Sequence, residues 1–345
     1  MYFWKKLSTA KKIILYGTGE YGKAFKKWMS IVRKDDSLEI IPAVSEIKGL
    51  DDSWLIGDAI RAHYGEAIIV VAASEEKSKE MIAVLKGLNI DDYIYISSSI
   101  YRFMKYDYEN QNTLSFTNDY SNAIEMELVW ANVLDRLIYQ KEWIIQKDLT
   151  TVVSSAVDNH YMYILLKALD SKLFNNILDI GMGQTTKIFA QYMEWRDDVK
   201  LSVVENDVDW INFSMATYLK DWSRIDVFQM DYEVGSLNNI EYRRYNHFKD
   251  VLCGKRYGII SIDAPLGTDM DIYSRRDILD ILPDCLDDNW IILIHDTQRV
   301  GERETVWEIE QCLIKNKIDY AIARYCNLRG FTILTDKHNK FFCTI

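Results

Sequence analysis

A glycine turn between two apolar runs is the part of this sequence best suited to hold a ligand. Gly181 and Gly183 follow the run Asn176–Ile180, and the carboxylate of Glu205 follows the run Lys200–Val204. In a βαβ unit, glycines let the backbone approach a ligand closely, and an acidic side chain after the second strand accepts hydrogen bonds from ribose hydroxyls. The third glycine of the dinucleotide pattern is missing, which favours a nucleoside with a short polar tail over a pyrophosphate.

Two more apolar runs end in groups that can move protons. Asp263 follows Tyr257–Ile262, while His295 and Asp296 follow Trp290–Ile294. The carboxyl ends of parallel strands meet at one edge of a sheet, where open α/β proteins bind their ligands. A hydroxyl nucleophile must lose its proton near the transition state, and an imidazole has the ordinary pKa for that task. His295 is therefore a candidate base, with Asp263 and Asp296 orienting it or the substrate; alternatively, His295 only hydrogen-bonds locally.

The first hundred residues alternate between strand and helix. We predict four strands, at Ile13–Tyr16, Leu38–Val44, Ala67–Ala72 and Tyr93–Ile96. Predicted helices lie between them, at Glu20–Ile31, Trp54–His63 and Glu75–Leu88. Strands that alternate with helices build a parallel sheet covered on both faces.

The second half repeats this alternation after a helical segment. Polar residues and turn formers from about Tyr106 to Phe116 indicate a domain boundary, and apolar spacing predicts helices at Ser121–Gln146 and Tyr161–Leu169. Seven strands follow, the last two forming a hairpin: Asn176–Ile180, Lys200–Val204, Ile225–Phe228, Tyr257–Ile262, Trp290–Ile294, Tyr320–Arg324 and Gly330–Thr335.

The predicted fold class is therefore α/β, with two Rossmann-like domains joined by a helical segment. We expect a small accessory domain over residues 1–108, a helical linker or lid over 109–160, and the ligand-binding domain over 161–345.

From Tyr161 to Ile345 the chain resembles class I S-adenosylmethionine-dependent methyltransferases, and more narrowly those of bacterial surface-polysaccharide biosynthesis. The resemblance rests on the order of five short motifs near the ends of predicted strands: Leu178–Lys187, Val204–Asp207, Gln229–Asp231, Ser261–Pro265 and Leu293–Arg299. It implies a seven-stranded methyltransferase fold and an O-methyltransferase acting on a hydroxyl of a sugar or glycan precursor.

The resemblance also implies that six residues bind S-adenosylmethionine: Asp179, Gly181, Gly183, Glu205, Met230 and Asp231. The first three shape the pocket for the methionine end of the cofactor, and the fourth takes the ribose hydroxyls. Met230 contacts the adenine ring, and Asp231 accepts a hydrogen bond from the adenine amine.

A divalent metal is a second implication. Catechol-type and some sugar O-methyltransferases carry one Asp after the fourth strand and an Asp-Asn pair after the fifth. Asp263 and Asp296 match the two carboxylates, but Thr297 stands where the Asn would be. Oxygen ligands suit Mg²⁺ or Mn²⁺, and such a metal would lower the pKa of a bound hydroxyl.

Neighbouring residues bear on the acceptor. Asp263 is followed by Ala-Pro-Leu, without the aromatic residue that stacks on a base in enzymes methylating nucleobase amines. Two segments, 274–279 and 299–304, carry arginines that could bind a phosphate or carboxylate of the acceptor. Their alternative role is to form ion pairs at helix starts.

The N-terminal Gly17-Thr-Gly-Glu-Tyr-Gly22 follows a predicted strand and opens a helix. It resembles the small Rossmann-like domains attached to sugar-modifying enzymes, so we expect an accessory domain that binds a nucleotide or only packs. Two alternatives follow: an NAD-dependent oxidoreductase or epimerase using this domain, or a non-catalytic nucleotide-binding scaffold. Glu46, the acidic candidate for a dinucleotide ribose, lies further along than usual.

Composition limits the partners. The 345 residues hold 41 Lys and Arg against 52 Asp and Glu, a formal net charge of -11, which disfavours nucleic acid. The five cysteines are scattered, which argues against zinc and for a reducing compartment. No apolar run is long enough to span a bilayer. We expect a cytoplasmic protein with a small-molecule or glycan substrate, and a homodimer as its assembly.

Overall fold

The computed structural model describes residues 3–33, 37–46, 53–63, 65–111, 120–147, 157–218, 222–237, 240–265, 274–325 and 329–345. The chain divides into two compact units, residues 1–115 and 116–345. Each unit has its own sheet.

The first unit is built on a five-stranded parallel sheet with the order β3-β2-β1-β4-β5. Its strands are β1 (Lys12–Tyr16), β2 (Glu39–Val44), β3 (Trp54–Leu55), β4 (Ala67–Val71) and β5 (Ile94–Tyr95). Its helices are α1 (Phe3–Thr9), α2 (Glu20–Val32), α3 (Ile56–His63), α4 (Glu75–Gly87) and α5 (Ser98–Gln111). The predicted Rossmann-like alternation of this unit is confirmed.

Two features of the first unit differ from the sequence prediction. Trp54 and Leu55 are strand rather than helix, because they pair with Ala43 and Val44 at the sheet edge. Helix α5 occupies part of the stretch that the polar composition marks as a boundary. Tertiary contacts stabilise it: in one of them, the indole N–H of Trp28 on α2 donates to Asp107 on α5 at 2.9 Å, and both residues are buried.

The second unit contains a seven-stranded sheet with the order β13-β14-β12-β11-β6-β7-β8. Its strands are β6 (Asn176–Ile180), β7 (Lys200–Glu205), β8 (Ile225–Gln229), β11 (Tyr257–Ile262), β12 (Leu286–His295), β13 (Tyr320–Tyr325) and β14 (Phe331–Asp336). The first five run parallel, while β14 is antiparallel to both β12 and β13. This is the predicted arrangement of five parallel strands plus a terminal hairpin, and the α/β fold class is confirmed.

The helices of the second unit are α6 (Tyr120–Gln140), α7 (Asn159–Ser171), α8 (Gln184–Trp195), α9 (Val208–Thr217), α10 (Phe248–Leu252) and α11 (Val300–Lys315). A separate hairpin, which the sequence pattern does not predict, is formed by β9 (Tyr232–Leu237) and β10 (Ile240–Tyr245). None of the helices in the described ranges is both long and apolar enough to cross a bilayer.

Alternate residues of the central strands enter two apolar clusters, as expected when side chains of one strand point to opposite faces. On β11, Ile259 belongs to one cluster, and Ile260 and Ile262 belong to the other. The first cluster also takes up α7, whose Tyr161 is fully buried and hydrogen-bonds Ser261 of β11 at 2.9 Å. This packing fixes the strand ends relative to α7.

In the first unit, helix α2 depends on a glycine for its approach to the sheet. A Cβ at Gly22 would lie 2.0 Å from the carbonyl oxygen of Gly17, whereas a Cβ at Gly57 in α3 would meet nothing within 4 Å. We expect Gly22→Ala to lower the free energy of unfolding by about 1–3 kcal/mol, because the backbone must shift. Gly57→Ala should leave it unchanged or raise it by up to about 1 kcal/mol. Urea unfolding of both variants measures the difference, and equal stabilities would contradict it.

Candidate active site

The register of four parallel strands brings the predicted site residues to one edge. Ile262 pairs with Ile180 on one side and Ile294 on the other, and Ile180 pairs with Val204. The next residue in each strand or loop therefore emerges at the same level: Gly181, Glu205, Asp263 and His295. Adjacent strands of a sheet lie about 5 Å apart, so these groups surround one region at the carboxyl edge.

The first of the two glycines in the turn after β6 cannot be replaced without strain. Gly181 has a φ of +107°, and a Cβ there would lie 2.7 Å from the Cβ of Ala264 and 3.3 Å from the carbonyl carbon of Asp263. Gly183 has open space around it, with nothing within 4 Å of an added Cβ. Gly181 thus packs the turn against the end of β11, and Gly183 leaves room beside the backbone.

Asp179 fastens this turn to helix α8. Its fully buried carboxylate accepts hydrogen bonds from the hydroxyls of Thr185 and Thr186, at 3.0 and 2.5 Å. Burial raises the pKa of Asp179 to about 7, although the hydroxyl hydrogen bonds oppose that shift. Asp179 therefore shapes the glycine turn from inside.

Glu205 ties the glycine turn to the loop after β7. One carboxylate oxygen accepts the backbone N–H of Met182 at 2.9 Å, and the other accepts those of Asn206 and Asp207 at 2.7 and 3.0 Å. Burial raises the pKa of Glu205, and these N–H donors act in the opposite direction. A carboxylate has about four acceptor positions, so roughly one remains for a ligand hydroxyl.

Met230 and Asp231 lie together in a cleft of about 550 Å³ at the end of β8. Met230 is buried, while Asp231 is exposed and accepts a hydrogen bond from Gln229 at 3.0 Å. The backbone N–H of Met230 donates to the carbonyl of Glu205 at 2.9 Å, which links the cleft to the predicted ribose carboxylate. Among the described residues that line this cleft, neither Glu205 nor the glycines appear.

The three residues with predicted roles in proton transfer form one cluster. Nδ1 of His295 lies 3.1 Å from an oxygen of Asp263 and 3.7 Å from one of Asp296. The Asp263 side chain is 21% exposed, against 0% for His295 and 4% for Asp296. Asp263 is therefore the member of this trio that can reach a substrate in this conformation.

Asp158, which the sequence pattern does not single out, completes the surroundings of His295. Nε2 of His295 lies 3.3 Å from the backbone nitrogen of Asp158 and 3.6 Å from its carboxylate. The N–H contact suits a neutral ring and the carboxylate contact suits an imidazolium. Burial lowers the pKa of His295, but Asp263, Asp158 and Asp296 outweigh it and raise the pKa to about 9. Three carboxylates thus hold the imidazole in its charged form at neutral pH.

Arg275 lies between the two strand-end carboxylates. Its Nη2 donates to Asp263 at 3.0 Å and to Asp296 at 2.7 Å, and its side chain is 1% exposed. Its Nη1 donates to the carbonyl oxygen of His295. These residues do not fit a divalent cation, because a guanidinium already bridges the carboxylates that would bind it. The grouping of Asp263, His295 and Asp296 would otherwise offer three ligand atoms within 4.8 Å of one another.

Arg299 extends this network on the other side of Asp296. Its Nη2 lies 3.1 Å from the Asp296 carboxylate, and Nη1 lies 3.6 Å from buried Glu302, which accepts the Ser274 hydroxyl at 2.9 Å. The segments 274–279 and 299–304 therefore direct these two arginines inward, into ion pairs. In the sequence, the only local signal of these ion pairs is the position of both segments at predicted helix starts.

The first unit has a cleft of about 590 Å³ around its own glycine turn. The lining includes Gly17, Gly19, Glu46 and Lys77, and the hydroxyls of Tyr16 and Ser45 lie 2.6 Å apart on its wall. The structure thus brings the predicted glycine motif and Glu46 to one concave surface.

No protein-family model matches the chain, and no curated protein matches it. Solved structures that resemble it include a proposed caffeoyl-CoA O-methyltransferase from Staphylococcus aureus, with 16% identity, a TM-score of 0.40, and coverage of 61% of this chain and 99% of that one. An SAH-bound methyltransferase of Podospora anserina has 13% identity, a TM-score of 0.36, and coverage of 60% and 88%.

A third, the O-methyltransferase of Bacillus cereus in complex with SAH, has 11% identity, a TM-score of 0.37, and coverage of 63% and 91%. Because these identities and TM-scores are low, the proposed function rests on the site residues of this chain.

The charged state of His295 gives a prediction about stability. Because its folded pKa of about 9 exceeds its ordinary value of 6.5, the imidazolium stabilises the fold fully below pH 6.5, and this contribution is lost as the pH rises through about 9. The interval corresponds to about 3 kcal/mol. We expect His295→Gln to be less stable than the parent at pH 6, with the gap narrowing towards pH 9.5. Urea unfolding across this range measures the gap.

The exposed His338 provides the matched control, since His338→Gln removes an imidazole outside the cluster. Its stability curve should run parallel to that of the parent chain. A gap between parent and His295→Gln that stays constant from pH 6 to 9.5 would contradict the assignment.

Proposed function

We propose that the second unit is an S-adenosylmethionine-dependent O-methyltransferase. The observation that carries this proposal is the contact between the glycine turn and the strand end that bears Asp263. A Cβ at Gly181 would lie 3.3 Å from the carbonyl carbon of Asp263, so a ligand on the turn lies beside the most exposed carboxylate of the cluster. A methyl donor and a proton acceptor can therefore share one region.

The residues around the turn fit this cofactor. Gly183 leaves open space beside the backbone, as close approach by the methionine end requires. Glu205 keeps about one acceptor position for a ribose hydroxyl after its backbone hydrogen bonds. Met230 and Asp231 offer an apolar side chain and an acceptor in the cleft beyond it, which suits an adenine ring and its amine.

The chemistry follows from the cluster. When bound, S-adenosylmethionine would supply the methyl group, whose bond to the sulfonium sulfur breaks as its bond to the acceptor oxygen forms. Asp263 accepts the proton of the acceptor hydroxyl as the new bond forms. His295 and Arg275 contact the Asp263 carboxylate at 3.1 and 3.0 Å and hold it in place. Alignment by these buried partners supplies much of the rate.

The proposed acceptor is a hydroxyl of a sugar or glycan precursor. Asp263 is followed by Ala-Pro-Leu, so the sequence offers no aromatic side chain at this point to stack on a nucleobase. Carboxylates are also strong hydrogen-bond acceptors for hydroxyl groups. The resemblance to surface-polysaccharide methyltransferases agrees with this class of acceptor.

The cofactor is tested by calorimetric titration of S-adenosylhomocysteine and NADH, separately, into the full chain. We expect the homocysteine cofactor to bind the parent, and Glu205→Gln to weaken it by about 1–3 kcal/mol, since a hydrogen bond to a charged acceptor is lost. Asp226→Asn is the matched control, because this exposed carboxylate lies on β8, pairs with Lys255 and is not among the residues that line the cleft.

Two results would contradict these assignments, the first that of the cofactor and the second the ribose contact of Glu205. One is NADH binding without S-adenosylhomocysteine binding, which would favour the oxidoreductase alternative in the first unit. The other is unchanged affinity in Glu205→Gln, which would remove the ribose contact. Binding of both ligands would assign a separate nucleotide site to the first unit.

Turnover is tested by release of S-adenosylhomocysteine from S-adenosylmethionine with a panel of nucleotide sugars. We expect Asp263→Asn to lower the rate by about 10²–10⁴-fold while cofactor affinity stays near that of the parent, because the proton acceptor alone is removed. Asp226→Asn should retain full turnover. A parent that binds cofactor and an Asp263→Asn variant with normal turnover would together exclude Asp263 as the base.

A further inference from the structure

The carboxylates of Asp263 and Asp296, at the ends of two strands, are bridged by the guanidinium of Arg275. Nη2 of Arg275 contacts Asp263 and Asp296 at 3.0 and 2.7 Å, so a single nitrogen bridges the two side chains. A divalent ion bound to the same two oxygens, Oδ1 of Asp263 and Oδ2 of Asp296, would need the position that this nitrogen holds. Oxygen–metal distances of about 2.0–2.6 Å leave no space for the ion and the nitrogen together.

Arg275 is fixed there by more than the carboxylates. Nη2 also donates to the backbone carbonyl of Asp263 at 3.1 Å, and Nη1 donates to the backbone carbonyl of His295. The guanidinium therefore binds the ends of β11 and β12 through both main chain and side chains. Its side chain is 1% exposed, so a metal ion would have to displace a buried charge from four partners.

A second cation lies on the far side of the same cluster. Arg299 is 3.1 Å from the Asp296 oxygen that also contacts Arg275. A divalent ion at Asp296 would thus lie beside two guanidinium groups, and like charges at such distances repel strongly when they are buried. Thr297, at the position of the expected Asn ligand, is buried and accepts the hydroxyl of Thr332 at 3.2 Å.

We propose that Arg275 takes the place of a divalent metal ion in this active site. The guanidinium neutralises the two carboxylates and orients Asp263 toward the acceptor, so the site works without a bound metal. This inference rests on the proposed methyl transfer for its functional meaning. Arg275 is a positioning residue, since it acts through Asp263.

The test measures Mn²⁺ binding to the full chain by the loss of the free-ion signal in electron paramagnetic resonance. We expect no Mn²⁺ binding by the parent at sub-millimolar concentrations, and the same result for Arg275→Lys, which retains the charge. Arg275→Met leaves Asp263 and Asp296 without their bridging cation and should bind about one Mn²⁺ per chain, with a higher melting temperature when the ion is present.

Arg276→Met is the matched control, because the neighbouring Arg276 pairs with Glu308, outside this cluster. It should behave as the parent does. One Mn²⁺ bound by the parent and lost in Asp296→Asn would overturn the proposal, as would a folded Arg275→Met that binds none. If Arg275→Met does not fold, the parent and Arg275→Lys titrations still decide.

Failure of this inference and failure of the proposed function are distinguishable. Mn²⁺ binding is measured without cofactor or acceptor, and the S-adenosylhomocysteine titration is made separately. Where methyl transfer is observed, treatment with EDTA should change the parent rate by less than about twofold. A rate abolished by EDTA and restored by Mg²⁺ would overturn the metal-free site while leaving the methyltransferase proposal intact.

Discussion

The parallel register of β6, β7, β11 and β12 is the constraint on which the site depends. Ile180, Val204, Ile262 and Ile294 form one row across the sheet. Side chains alternate between faces along a strand, so a slip of one residue would bury the wrong set and shift every residue that follows. The buried apolar clusters on the two faces hold the register. Packing of the apolar core therefore fixes the positions of the site residues at the strand ends.

Burying so many charges at one sheet edge is costly unless each has a partner. Taking an ion from water into a protein interior costs several kcal/mol, and pairing recovers this only with good geometry. Here the carboxylates of Asp263 and Asp296 share Arg275, Asp296 also contacts Arg299, and His295 lies among Asp158, Asp263 and Asp296. The result is a network of paired charges in which Asp263 is the most exposed carboxylate.

The glycine turns of the two units are stabilised in different ways. In the first unit the third position of the motif is Gly22, which lets the helix approach the carbonyl of Gly17. In the second unit that position is Thr186, whose hydroxyl accepts the N–H of Gly183 at 3.0 Å and donates to Asp179. Close packing fixes one turn, and side-chain hydrogen bonds fix the other.

Local sequence predicted the seven strands of the second sheet, four of the five strands of the first, and the positions near strand ends of the six predicted cofactor residues and of Asp263, His295 and Asp296, because apolar runs and glycines carry short-range signals. It did not predict the edge strand β3, which pairs with β2 through tertiary contacts. It did not determine α5 or the hairpin of β9 and β10. The partners of the charged groups were also decided by tertiary structure: Asp158 is 137 residues from His295 in the chain, and no local pattern encodes such a pairing. Arg275 was predicted either to bind an acceptor anion or to form an ion pair at a helix start. Only folding placed its guanidinium between the two strand ends, where the desolvated carboxylates required a counter-charge.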